Sequence, residues 1–386
     1  MNSDIFAGTS VLHIITRLDR GGAADIVLEL ARMLADDGVK VGIVVGKTVE
    51  PQENIDSYRN RTGIPVFIVP CLVRNVSPLR DIHAFLKIRK IIHQFKPSIV
   101  HTHTSKAGII GRFAAWLSET RYIVHTPHGH IFYGYYNALA TSLFVSIERL
   151  AAKVTDKITL LTQQELSEHL RMKIGPAYLF TVISSGIDVK RFSEGDGFSV
   201  RTELGWQDKK IVGWIGRLVP VKDCATFIRT AALIRDRIQD VRFMVVGDGE
   251  DRDMLVQLVK ELELDGRLVF LGYRSDVPSL MKAMDVFVLS SLNEGFGRVL
   301  VEAMAAGVVI VSTRVGGTID VVEDGISGIL VPPSDPKSIA DAVCEVLENH
   351  ELRERLVEGG LRCAPLFNIR TMVNKFEDLY AKLLSV

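Results

Sequence analysis

Several things are scarce or missing in this chain of 386 residues, and each gap removes a class of function. There are four cysteines, Cys71, Cys224, Cys344 and Cys363, and no two form a Cys-x-x-Cys pair. Neither a disulfide framework nor a cysteine zinc cluster is expected, and a reducing compartment is the natural one. No run of eighteen apolar residues occurs, so no membrane-spanning helix is expected. The nearest approach, Tyr122 to Ile147, holds no Asp, Glu, Lys or Arg. It is broken by His125, Pro127, His128, Gly129, His130, Gly134 and Asn137, which fits a glycine-rich loop leading into a partly apolar helix. The opening Met1-Asn-Ser-Asp-Ile-Phe lacks the basic start and apolar stretch of a secretory signal, so a cytoplasmic location is expected. No tandem repeat and no low-complexity tail is present.

Net charge is also missing, with 46 Lys and Arg against 46 Asp and Glu, but it is unevenly spread. Residues 1–185 carry 21 basic against 15 acidic side chains, and the remainder reverses the balance with 25 against 31. A basic first half suits an anionic partner, either a bilayer surface or a phosphate-bearing acceptor. The ordinary reading, an asymmetry of solvated faces, competes with it. Nucleic acid is a poor candidate, because the excess is small and no basic-aromatic module accompanies it.

Apolar residues make up 47% of the chain, enough for two packed cores, and the length suggests two domains. Short β-branched runs alternate with helix-period stretches throughout. Strands are expected over 10–15, 40–45, 65–69, 98–101, 121–125, 157–161 and 179–183, then over 211–215, 242–246, 268–271, 286–289, 308–312 and 328–331. Helical patterns lie between them, for example over 24–35 and 81–95. This alternation builds parallel sheets covered by helices on both faces, with ligands at the carboxyl ends of the strands. His101, His125, Gly216, Gly247 and Ser290 all fall at expected strand ends.

Two segments carry the chemistry. Glu294-Gly-Phe-Gly-Arg-Val-Leu-Val-Glu302 places two carboxylates around a glycine turn, between an apolar run and a helix-like stretch. Strand, turn and helix together put free backbone N–H groups where an anion can sit, and the carboxylates can accept hydrogen bonds from hydroxyls on either side of it. Phosphate flanked by two sets of hydroxyls describes a nucleotide sugar. Gly216-Arg-Leu-Val-Pro-Val-Lys-Asp223 adds Arg217, a planar fork for phosphate oxygens, and Lys222, a point charge.

In order and spacing these segments resemble the family-four retaining glycosyltransferases of GT-B fold along nearly the whole chain. Arg20-Gly-Gly-Ala23, His101-Thr-His103 and His125-Thr-Pro-His-Gly-His130 fit the same resemblance. It implies that Glu294 contacts the donor hexose near O3 or O4 and that Glu302 binds the ribose hydroxyls. Backbone groups of Gly295, Phe296, Gly297, Arg298 and Val299 would line the phosphate. Gly21 and Gly22 would approach the distal phosphate, and His128 would contact the sugar near O6. Tyr273-Arg274 matches the loop that holds the nucleobase. Two positions depart from the family pattern: Arg298 stands where an apolar residue is common, and Val221 where an acidic one is usual.

Each site has a plainer reading. Glu294 and Glu302 could decorate a surface helix, Arg217 and Lys222 could be loop charges, and glycine pairs such as Gly21-Gly22 are common at turns. The histidines invite a zinc site, but Pro127 and Gly129 break the helical spacing such a site uses, and no Cys or Glu completes a ligand set. Fixed cations on the departing diphosphate act mainly in the transition state, so no metal or other cofactor is expected.

The expected fold is α/β, with two Rossmann-like doubly wound domains facing across a cleft. Residues 1–188 would form the acceptor domain and 189–368 the nucleotide-sugar domain. Residues 369–386 would form a helix that, by resemblance, crosses back to the first. The expected function is retaining transfer of a hexose or N-acetylhexosamine from a UDP-linked sugar to a glycan or lipid-linked acceptor in surface-polysaccharide synthesis. The expected site is His128, Arg217, Lys222 and Glu294, at or near the inner face of an anionic membrane. A nucleotide-sugar epimerase of the same fold and a non-catalytic nucleotide-sugar-binding subunit are the alternatives.

Overall fold

The computed structural model describes residues 8–129 and 138–385; His130 and residues 131–137 of the histidine-rich loop lie outside the described residues. The chain divides into two compact units, Met1–Ser185 with Arg370–Val386, and Gly186–Ile369.

The first unit holds seven strands: β1 (Ser10–Ile15), β2 (Lys40–Val45), β3 (Val66–Ile68), β4 (Ile99–His103), β5 (Tyr122–Thr126), β6 (Lys157–Leu160) and β7 (Phe180–Val182). They lie in the order β3-β2-β1-β4-β5-β6-β7, and every pair is parallel. All six residues of β1 are buried, the near-continuous burial expected of a strand covered on both faces. Helix Gly22–Asp36 buries Ile26, Val27, Leu30, Ala31 and Leu34, the three-and-four spacing of one face. The last helix, Ile369–Leu384, buries Met372, Val373, Phe376, Leu379 and Tyr380. Arg370 of that helix pairs with Asp37 at 2.6 Å.

The second unit holds β8 (Lys210–Ile215), β9 (Val241–Val246), β10 (Leu268–Gly272), β11 (Val286–Leu289), β12 (Val309–Thr313) and β13 (Ile329–Val331), again all parallel, in the order β10-β9-β8-β11-β12-β13. Val212, Trp214, Phe243, Val245, Val288 and Val311 form the sheet's share of its core, against Phe227, Ile228 and Val343 from the helices. Where the chain enters and leaves this unit the two segments pair: Ile187 N–H donates to Phe367 O at 2.9 Å, and Ile369 N–H donates to Ile187 O at 2.8 Å.

Each expected strand is present, with ends shifted by a residue or two. The shift has a consequence for the histidines. β4 continues to His103 and β5 to Thr126, because pairing with both neighbours persists (His103 opposite Ile15 and Thr126). His101 therefore lies inside its strand rather than at its end. Among the described residues no helix is long and apolar enough to cross a membrane.

Candidate functional site

In the second sheet β8 lies between β9 and β11, so the winding direction reverses there. Loops leaving β8 and β11 diverge from that point, and open α/β sheets bind ligands at such a place. Lys222 comes from the first loop and Glu294 from the second, and Lys222 Nζ pairs with Glu294 Oε1. Ser291 Oγ donates to the same carboxylate oxygen at 2.7 Å. The Glu294 side chain is 8% exposed and that of Lys222 23%, so the pair is screened far less than a surface ion pair.

Backbone bonds hold the two loops together. Leu292 N–H donates to Val221 O at 2.9 Å, and Ser290 Oγ donates to Asp223 O at 2.8 Å while accepting from Trp214 Nε1 at 3.1 Å. A third loop, after β12, closes on them: Thr313 Oγ1 donates to Ser291 O at 2.6 Å and Gly317 N–H to Glu294 O at 2.9 Å. Gly316 approaches so closely, at φ +48°, that a Cβ there would lie 2.1 Å from Glu294 O.

Gly297, at φ 76° and ψ 55°, turns the chain into helix Arg298–Ala306, and no side chain caps it. The first helical hydrogen bond runs from Leu300 N–H to Gly297 O at 2.8 Å, so the N–H groups of Arg298 and Val299 precede it. A helix start of this kind favours an anion. Gly295 and Gly297 frame Phe296, whose buried ring packs 5.5 Å from Phe367 and anchors the turn. Glu302, four residues beyond Arg298, is half-buried on the same helix. Arg217 is exposed just past β8 and makes no ion pair among the described residues.

Arg274 is engaged by two neighbouring carboxylates. Its guanidinium is clamped between Glu203 (2.7 and 3.0 Å) and Asp276 (2.8 and 2.7 Å). Those two carboxylates hold its pKa above the usual arginine range, Asp276 contributing most.

In the first unit the winding reverses between β1 and β4. Gly21, at φ 150°, precedes helix Gly22–Asp36 and donates its N–H to Gln52 Oε1 at 3.1 Å. Beside this point lies a group of histidines. His103 Nε2 is 2.9 Å from His13 Nδ1, and His103 Nδ1 is 2.9 Å from His128 Nε2. His101 bonds Tyr380 Oη at 2.6 Å through Nδ1 and Thr126 Oγ1 at 2.7 Å through Nε2. His125 Nδ1 lies 2.9 Å from Thr102 Oγ1. His128 follows β5 with φ 57°, a left-handed backbone that a non-glycine residue adopts only when its surroundings enforce it.

Burial pushes His13 down to about 3 and holds His101, His103 and His125 well below the usual histidine range, with the charge of Arg112 adding to the effect at His125. All four are neutral near pH 7. His13, His101 and His103 offer nitrogens within 4.8 Å of one another, which satisfies the distance part of a metal site. Both nitrogens of His101 are already hydrogen-bonded, so metal binding would break one of those bonds.

Sequence reasoning missed His13, Tyr380, Ser291 and the Gly316-Gly317 loop. His13 sits in the apolar run Ser10–Ile15, and Tyr380 comes from 279 residues beyond His101, so neither carried a local signal. The glycine pair after β12 did carry one, since it follows a strand as Gly21-Gly22 nearly does.

The chain matches two family models, Glycosyltransferase Family 4 over residues 20–191 and Glycosyl transferases group 1 over residues 199–362. It is 31% identical over 331 residues to UDP-Gal:alpha-D-GlcNAc-diphosphoundecaprenol alpha-1,3-galactosyltransferase of Escherichia coli, covering 82% of this chain and 84% of that protein. It is 26% identical over 328 residues to the capsular polysaccharide biosynthesis glycosyltransferase CapM of Staphylococcus aureus, covering 81% and 84%. Among solved structures, Anabaena Alr3699/HepE in complex with UDP-glucose superposes with a TM-score of 0.81 at 24% identity, over 97% of this chain and 99% of that one. WaaG, a glycosyltransferase involved in lipopolysaccharide biosynthesis, gives 0.76 at 17% identity over 96% and 99%.

Proposed function

We propose a reaction for a chain that belongs to the GT-B glycosyltransferases, pairs a Glycosyltransferase Family 4 domain with a Glycosyl transferases group 1 domain, and transfers sugar from a nucleotide-sugar donor. It moves a hexose or N-acetylhexosamine from a UDP-linked donor, with retention, onto a lipid-diphosphate-linked glycan. The observation that carries this is the Lys222–Glu294 pair at the winding reversal of the second unit, beside the start of helix Arg298–Ala306. A cation, two N–H groups and a carboxylate within one loop cluster suit a diphosphate on one side and sugar hydroxyls on the other.

The roles follow from charge. Arg217, Lys222 and the N–H groups of Arg298 and Val299 stabilise the diphosphate as it gains negative charge on departure. Glu294 accepts from hexose hydroxyls and Glu302 from the ribose. His128 donates to the hexose, and the turn at Gly21-Gly22 serves the distal phosphate. The departing phosphate oxygen takes the acceptor's proton. The Escherichia coli relative, whose name specifies UDP-Gal and a diphosphoundecaprenol-linked GlcNAc, supports this choice of donor and acceptor class.

A second observation favours a membrane-borne acceptor. Helix Pro78–Phe95 exposes Leu79, Ile82 and Leu86 at 75%, 57% and 52%, on a three-and-four spacing among Arg80, Lys87 and Lys90. Apolar side chains flanked by basic ones suit a peripheral contact with an anionic leaflet on the cytoplasmic side. The basic excess over residues 1–185 supports the same reading.

The test is incubation with labelled UDP-galactose, UDP-GlcNAc, UDP-glucose and GDP-mannose, with and without a lipid-diphosphate-linked GlcNAc acceptor. The expected result is an α-linked product from one UDP-sugar. A new free sugar isomer would replace this reading with epimerisation, and binding without turnover would replace it with a scaffold.

A further inference from the structure

Glu294 is held at both ends. Gly317 N–H donates to its backbone oxygen at 2.9 Å, and Ser291 Oγ and Lys222 Nζ both donate to Oε1 of its side chain. A carboxylate oxygen offers two lone pairs, so Oε1 is saturated. The direction of both bonds is fixed, because an ammonium only donates and a carboxylate only accepts. Oε2 accepts no hydrogen bond among the described residues and is not an enclosed atom, so the accessible 8% of the side chain includes it. Glu294 thus turns one satisfied oxygen inward and presents the other, with two lone pairs, at the winding reversal.

Lys222 does not set that orientation by itself. Its ammonium is a compact point charge on a flexible four-carbon stem, and such a pair tolerates rotation of the carboxylate. Ser291 is short, fully buried and fixed by its neighbours. Its backbone oxygen accepts from Thr313 Oγ1 at 2.6 Å, and the backbone oxygen of Thr313 accepts from Thr318 Oγ1 at 2.8 Å. Thr313 and Thr318 are as fully buried as Ser291. The three hydroxyls run from just past β11 to the end of β12 and into the loop beyond, so the one that meets Glu294 is placed by two strands of the sheet.

We propose that Ser291 is a positioning residue for Glu294. It pins Oε1, so that Oε2 is the oxygen that meets the donor hexose and accepts from two neighbouring hydroxyls, those at C3 and C4. This rests on the reading of Glu294 as the hexose contact, and it adds a source of selectivity. Inverting the configuration at C4 carries one of the two hydroxyls away from Oε2. The site registers that change only while the carboxylate is kept from rotating to follow it.

UDP release by the full-length protein, with lipid-diphosphate-linked GlcNAc as acceptor, tests this across two pairs of C4 epimers: UDP-galactose with UDP-glucose, and UDP-GalNAc with UDP-GlcNAc. The wild type should favour one member of a pair. Ser291→Ala should lower kcat/KM for the favoured donor about tenfold and for its epimer less, so that the ratio between them shrinks. Ser291→Cys fills nearly the same space with a weak donor and should behave likewise, which keeps the test open if the alanine variant does not fold. In Glu294→Gln the amide oxygen takes the place of Oε1 and its NH2 group faces the sugar, so the ratio should collapse. Adding Ser291→Ala to that variant should then cost nothing further. A purely structural Ser291 would lower the melting temperature and slow both epimers alike. An unchanged ratio in Ser291→Ala and Ser291→Cys, beside a collapsed one in Glu294→Gln, would overturn the proposal and leave the hexose contact standing. An unchanged ratio in Glu294→Gln, or equal rates for both epimers in the wild type, would overturn the hexose contact and the proposal with it.

Discussion

Replacing Lys222 with alanine separates the role we propose for it on the diphosphate from its observed pairing with Glu294. On the diphosphate, Lys222 would supply a charge-assisted contact of about 1.5–3 kcal/mol. At 1.36 kcal/mol per decade its loss lowers kcat/KM about tenfold to a hundredfold. Lys222 is also the cation beside Glu294, whose side chain is 8% exposed and would keep only the Ser291 hydroxyl. That second role predicts a loss as well, but one that depends on the carboxylate. The double variant Lys222→Ala/Glu294→Gln tells them apart. If Lys222 serves only as a counter-ion, removing it in the Glu294→Gln background costs nothing further. If it acts on the diphosphate, about a tenfold loss persists there. Release of nucleoside diphosphate across donor concentrations measures this, with thermal unfolding in parallel to confirm that the protein is folded. A single variant with wild-type kcat/KM, or complete loss of the Lys222 effect in the Glu294→Gln background, would refute the diphosphate assignment.

Chelation with EDTA should leave turnover largely unchanged if, as proposed, Arg217, Lys222 and the helix start at Arg298 carry the phosphate charge; loss of turnover restored by magnesium or manganese would contradict that. The protein should float with anionic but not neutral liposomes, less so at high salt, and Leu86→Glu should weaken it; a protein that stays in the soluble fraction at low salt points to a soluble acceptor. Arg112, fully buried, makes two bonds to Glu148 at 2.9 and 2.8 Å, and Arg112→Ala should cost about 3–5 kcal/mol in chemical denaturation by stranding that carboxylate. Burial, then the hydrogen bond and charge of Asp37, push Glu377 up from 4.5 to about 7. The native state thus holds the extra proton between those values, so stability should fall as pH rises through that window and be flat below it. Glu377→Gln should remove that slope from a pH series of unfolding curves.

Local pattern made the sheets legible. Apolar runs such as Val286–Leu289 and residues 41–45 are buried on both faces, and their composition says so without reference to any neighbour. That Glu294, Lys222 and the turn at Gly297 belong to loops at strand ends was legible for a related reason, since a strand followed by glycine and a helix marks such a loop. What stayed hidden depends on partners far along the chain. His13 reads as an apolar-strand residue until His103 arrives 90 residues later. Nothing in the sequence around Arg274 announces its partner Glu203, 71 residues earlier. His101 reads as a strand end only while the pairing that prolongs β4 is unseen.

The division of the chain also sets a timetable. The first unit is completed by Arg370–Val386, which the ribosome reaches only after making the whole of Gly186–Ile369. At about 5–20 residues per second, that intervening stretch takes on the order of 10–40 s. During that interval the seat of Met372, Val373, Phe376 and Tyr380 is uncovered and His101 lacks its tyrosine partner. The second unit, continuous in sequence, has no such wait. The half made first is therefore the half finished last, and a nascent chain stalled before residue 370 would expose an apolar surface to chaperones while its second unit was already folded.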